Sequence, residues 1–279
     1  MEELAAKQVL LDFELIILIA LALGVAGYAI ARRRAGTAEI GSSDFDGYDV
    51  VLMFFPALLF LLNPVFSALF AETPVEGDQA GGVGITGVLM SIAYFGFVGM
   101  MTFGIIEWVR NRRIVEVFGL KRLSFPQIVM TTILGGVLSM VVCAWLFGSV
   151  SQVFLEDIFG ELLEQEPVQT LQESDSAFHL TISILMACVA APLVEELLFR
   201  GYMYGALKKA TNGVFAAVII GGLFAVVHGN LPALLPLWSF SIFLCLSYEL
   251  TKCLWVPVGI HAFFNAANIV LMLVEQPVE

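Results

Sequence analysis

Positive charge is scarce in this sequence. Only 13 Lys and Arg stand among 279 residues, against 25 Asp and Glu, for a formal net charge of −12. No basic stripe is available to neutralise phosphates, which excludes nucleic acid as a partner. Charge of either sign is thin, at 14% of residues, where a soluble domain carries about 25%. Cysteine is limited to Cys143, Cys188, Cys245 and Cys253, each in or beside an apolar run and none in CxxC spacing. That excludes a disulfide framework and a thiolate metal site, and leaves cysteine as small apolar filler. Internal repeats and low-complexity tracts are also lacking.

What is present is apolar. Hydrophobic residues make up 59% of the chain, in runs of roughly 20, the length that crosses a bilayer's hydrocarbon core. The expected fold is all-α, a polytopic transmembrane bundle of about eight spans near 12–31, 50–70, 83–108, 126–149, 178–207, 213–230, 232–251 and 254–274. The first is expected to stay as an anchor, because Arg32, Arg33 and Arg34 follow its apolar run rather than precede it. By the positive-inside rule those arginines lie in the cytoplasm, and alternation then puts Arg110, Arg112, Arg113, Lys121, Arg122, Arg200, Lys208, Lys209 and Lys252 on the same side. Lys7 alone does not follow. Acid collects opposite, at Glu72, Glu76, Asp78, Glu156 through Asp175, Glu275 and Glu279. The expectation is a multi-pass protein of the cell's inner (cytoplasmic) membrane with both termini outside.

Residues 151–166 differ in character. Phe154, Ile158 and Leu162 repeat every four residues, as do Leu155, Phe159 and Leu163, with acids between them. That pattern suggests an amphipathic helix on the outer interface. The chain thus divides into a four-span region at 1–150, an acidic amphipathic segment at 151–177 and a core at 178–275. Gly201 and Gly205 form a small-xxx-small pair, a mark of close helix packing.

Ionisable groups inside spans are costly and point to function. Glu195, Glu196 and Arg200 lie on span five, His228 on span six, and His261 with Asn265 on span eight; Asn268 and Asn63 are weaker candidates. Adjacent residues on a helix point about 100° apart, so the two glutamates face different directions. Glu196 and Arg200 are four apart with the acid first, the favourable order for an ion pair. Glu195 is left without a cation on its own helix, which suits a reactive acid. Counted along the spans at about 1.5 Å per residue, Glu195, His228, His261 and Asn265 reach depths compatible with one site. Phe224 is expected to pack a turn below His228, Glu107 to pair with nearby arginines, and His179 to sit at the interface.

A carboxylate and an imidazole flanking one water can activate it for attack on a carbonyl. A second imidazole and an amide can hold the oxyanion that develops. The same Glu195, His228 and His261 could instead be three ligands of an open zinc site. On the residues alone both chemistries stay open. The lack of an HExxH-like pair, which fixes two ligands on one helix, favours the version with no metal cofactor.

Three motifs in order resemble the CPBP family of intramembrane endopeptidases, also called Abi, which includes CAAX-processing proteases and bacteriocin-immunity proteins. They are EExxxR at Glu195–Arg200, FxxxH at Phe224–His228 and HxxxN at His261–Asn265, within about residues 178–272. The resemblance implies that Glu195 and His228 activate water while His261 and Asn265 stabilise the oxyanion. It also implies peptide or membrane-anchored protein substrates, a lipid environment, and a metalloprotease or glutamate-protease label. Two rivals are a proton-relaying transporter and a non-catalytic scaffold or immunity protein. The transporter is disfavoured because the polar residues gather in one half rather than in matching repeats.

Overall fold

The structure, a computed structural model, describes residues 45–60, 85–159, 177–230 and 232–274, all of them helix or short connection. In chain order the helices are α1 (Gly47–Leu52), α2 (Ile85–Gly104), α3 (Ile114–Val117), α4 (Phe125–Ser139), α5 (Gly148–Phe159), α6 (Ala177–Leu185), α7 (Ala191–Glu196), α8 (Gly205–Ala210), α9 (Gly213–Val226), α10 (Leu234–Thr251) and α11 (Trp255–Val274). Wider π-helical turns at Met140–Phe147, Met186–Ala190 and Leu197–Tyr204 join α4 to α5 and α6 through α7 to α8, so each set reads as one long helix.

Five helices are long and apolar enough to cross a membrane: Met90–Val109, Phe125–Val153, Leu180–Ala210, Leu234–Thr251 and Trp255–Met272. The protein is a multi-pass membrane protein. The eightfold count is not reached among the described residues. Span 12–31 lies outside them, and span 50–70 is described only as far as Phe60. The span expected at 213–230 ends as a helix at Val226 after 14 residues. At 1.5 Å per residue that is about 21 Å, short of the bilayer core. Residues 151–159 continue the fourth span's helix through α5; the rest of the expected amphipathic segment lies outside the described residues.

Local chemistry marks the helix ends. Ser124 and Gln127 form a capping box at α4, with Pro126 in the first turn. The Asn212 side chain accepts the Phe215 N–H at 2.9 Å to open α9. Packing then follows residue size. α9 lies along α10, and α11 along α4. At Gly136 an added Cβ would stand 2.4 Å from the Phe263 ring, so only glycine lets α4 and α11 approach this closely. Gly201 receives the ring of Phe118 and Gly205 that of Phe45, the close packing expected of that pair.

One end of the bundle gathers basic residues. The Leu254 N–H donates to the Phe118 carbonyl at 3.1 Å, joining the connection after α3 to the one before α11. Lys208 and Lys252 both pair with Glu249. Arg110 and Arg112 hold Asp49, whose side chain is fully buried, at 2.9 Å each. Among the described residues Glu107 makes no ion pair. Its Oε1 accepts the Ile114 N–H at 2.7 Å, capping α3, so the expected arginine pairing is corrected. The arginines have better partners in Asp46 and Asp49.

Candidate active site

Glu195 and Glu196 end α7, directly before the π turn Leu197–Tyr204 that carries Arg200. Both glutamates and the arginine are buried. As the i, i+4 spacing demands, Arg200 Nη1 donates to Glu196 Oε1 at 2.8 Å. Arg200 Nη2 also donates to Ser241 Oγ at 2.7 Å, tying this helix to α10, and the guanidinium lies 4.5 Å above the Phe224 ring. Sequence reasoning missed Ser241, because one serine in an apolar span carries no signal of its partner.

Glu196 has a second duty the sequence does not reveal. Its Oε1 also accepts from His261 Nδ1 at 2.8 Å. A carboxylate only accepts, so Nδ1 carries the hydrogen and Nε2 is the atom left to face the site. His228 is held in the same sense by a different group. Its Nδ1 lies 2.6 Å from the Phe224 carbonyl, again an acceptor only, so Nε2 is free to turn inward. The Phe224 ring supports both imidazoles, with centroids 4.6 Å from His228 and 5.6 Å from His261.

Between the two Nε2 atoms stands Glu195. Its Oε2 is 4.0 Å from His228 Nε2 and 4.0 Å from His261 Nε2. That oxygen is buried and has no hydrogen-bond partner among the described residues. The His261 side chain is 4% exposed and that of His228 29%, so His228 is the more accessible of the two. His228 stands in the turn after α9, just before Gly229, whose φ of +60° suits a residue without Cβ.

Asn265, one turn beyond His261 on α11, points its amide at the backbone of span five. Nδ2 donates to the Ala187 carbonyl at 2.7 Å. Asn268 donates to its own helix, at the Phe264 carbonyl. Asn63 and the side chain of His179 lie outside the described residues. The four cysteines are free thiols.

Ligands on one zinc ion, with bonds of about 2.0–2.1 Å, stand about 3.3 Å apart. The Glu195 oxygen sits wider than that from both rings, and among the described residues no three His, Cys, Asp or Glu side chains are disposed to hold a metal ion.

A family model described as "Type II CAAX prenyl endopeptidase Rce1-like" matches residues 177–267, the stretch that carries Glu195, Glu196, Arg200, His228, His261 and Asn265. The chain is similar to the "Putative membrane peptidase YdiL" of Bacillus subtilis, at 30% identity over 116 residues, 42% of this chain and 47% of that one. It is also similar to the "Membrane-embedded CAAX protease MroQ" of Staphylococcus aureus, at 26% identity over 136 residues, 47% and 54% of the two. The chain thus spans about half the length of the curated relatives it matches. No solved structure matches. The similarity to CAAX-type membrane peptidases thus falls on residues 177–267, the stretch whose ordered Glu195, His228 and His261 motifs gather around one buried carboxylate.

Proposed function

We propose that this protein is a CAAX-protease-like intramembrane endopeptidase in which Glu195 and His228 activate a water molecule. The observation that carries the reading is the Glu195 carboxylate oxygen, buried and unpartnered, with an imidazole nitrogen 4.0 Å away on either side. Separations beyond direct hydrogen-bond range are those a single water spans. A water seated there gives its proton to the carboxylate as its oxygen attacks the scissile carbonyl. His228 Nε2, on the more accessible side, accepts the water's other hydrogen and orients it.

The oxyanion needs donors. His261 donates to it from Nε2, and the free hydrogen of the Asn265 amide supplies a second contact. A ring that donates from both nitrogens is a cation, and Glu196 stands at Nδ1 as its counter-charge. Arg200 in turn balances Glu196. The acid pair is thereby divided, with Glu195 for chemistry and Glu196 for holding the opposing imidazole.

Substrates are membrane-anchored proteins or peptides that reach the site beside His228. The protein sits in the cell's cytoplasmic membrane, with the end bearing Arg110, Arg112, Lys208 and Lys252 on the cytoplasmic side and both termini outside. The test is cleavage of a membrane-anchored reporter peptide by the purified chain in liposomes. Glu195→Gln abolishes cleavage on this reading, and unchanged cleavage overturns it. Activity that persists in a chelator supports the water-only mechanism. Loss of activity that zinc alone restores overturns it in favour of a metal-dependent one.

A further inference from the structure

The π turn Met186–Ala190 lies one turn before the two glutamates, and its hydrogen bonds do not close on themselves. The Ala191 N–H reaches back five residues to the Met186 carbonyl. In that register the next donor, facing the Ala187 carbonyl, would be residue 192, and residue 192 is a buried proline. Proline has no N–H to give. The α-helical alternative donor for Ala187 is the Ala191 N–H, already engaged by Met186. An open backbone acceptor in a membrane helix must find a partner elsewhere. It finds Asn265 Nδ2 at 2.7 Å, from α11.

We infer that Pro192 is a positioning residue for the reaction. By withholding its N–H it keeps the Ala187 carbonyl open, and that carbonyl fixes the amide of Asn265 where the oxyanion forms. Pro192 touches no reacting atom and acts through Asn265. The inference rests on the peptidase reading above.

Pro192→Ala returns an N–H that competes with Asn265 for the Ala187 carbonyl. Alanine favours helix far more than proline does, so the fold is expected to survive. With the full chain in liposomes and the reporter peptide, kcat falls about tenfold while KM is unchanged, because an amide released from its anchor drifts from its working position. Asn265→Leu lowers kcat about a hundredfold, as loss of an oxyanion donor does. The double variant is no slower than Asn265→Leu alone, since Pro192 has nothing left to position.

Losses that multiply in the double variant overturn the inference, as does full kcat in Pro192→Ala. Thermal unfolding in detergent monitors the fold. If Pro192→Ala does not fold, Pro192→Val restores the N–H while refilling the ring's volume. Failure of both overturns the inference, because the ring would then hold the helix itself. Parental cleavage by Glu195→Gln in the same assay marks failure of the peptidase reading instead.

Discussion

Asp49 and Glu195 are both acids buried in this bundle, and their surroundings treat them in opposite ways. Asp49 meets Arg110 and Arg112 at 2.9 Å each, so both of its oxygens are engaged by cations. Glu195 keeps one buried oxygen with no hydrogen-bond partner, aimed between two imidazoles. A satisfied buried carboxylate locks two pieces of chain together, here the start of α1 and the end of the third span's helix. An unsatisfied one is costly to keep, and such groups gather at functional sites. Burial alone therefore does not distinguish the acids, and neither does one open oxygen, since Glu196 Oε2 is also buried and unpartnered among the described residues; Glu195 differs in that neither a cation nor an imidazole comes within hydrogen-bond reach of it.

The sharpest break of that comparison exchanges each acid for its amide. Glu195→Gln is expected to lower cleavage by about 10²–10⁴-fold with the thermal midpoint nearly unchanged. Asp49→Asn is expected to do the reverse, costing about 2–3 kcal/mol of stability in denaturant unfolding. The folded fraction of that variant cleaves the reporter at the parental rate. Equal activity losses in the two variants would erase the distinction. Next in size, Arg200→Met strips Glu196 of its cation in a site with no solvent exposure. Removing one member of a buried pair costs about 3–5 kcal/mol of stability, and Glu196, which holds His261, loses the cation that fixes it, so cleavage falls along with it.

Smaller effects sharpen the same contrast at the basic end. Gly205→Ala drives a methyl into the Phe45 ring, beside the Asp46–Asp49 cap, and is expected to cost about 1–2 kcal/mol. The smallest effect belongs to Asp46. Its burial is the largest single influence and opposes ionisation, but the Tyr48 N–H, the Arg110 guanidinium and its own other hydrogen bonds together outweigh that and hold its carboxyl below the usual range. A carboxyl lowered by folding stabilises the fold above its unfolded pKa of about 4, and that contribution is lost as pH falls through the lower folded value. The thermal midpoint of an Asp46→Asn variant should therefore trail the parent at pH 7 by a small margin that closes in strong acid. A margin that widens there would contradict this.

Where the sequence reading held, the partners were close in the chain. Glu196 and Arg200, and Phe224 and His228, meet because four residues make about one helical turn. Gly201 and Gly205 admit neighbouring rings because nothing projects from them. The reading had less reach across the bundle. Nothing near His261 in sequence predicts Glu196 at its Nδ1, 65 residues away. Nothing near Asn265 predicts the Ala187 carbonyl, and Glu107 was matched to arginines that Asp46 and Asp49 claim instead. The shortness of α9 was passed over although Gly229, Asn230 and Pro232, residues that favour turns, follow closely on Val227.

By itself the sequence determined that the chain enters a membrane as apolar helices. It also determined which few polar side chains had to be sheltered there, because hydropathy and helical spacing are properties of neighbours along one strand of chain. Only the tertiary structure decided how those side chains divide their work. Which glutamate is tied down and which is left open depends on the helices packed against them. A hydrogen bond between distant spans exists only once packing has brought its donor and acceptor within about 3 Å.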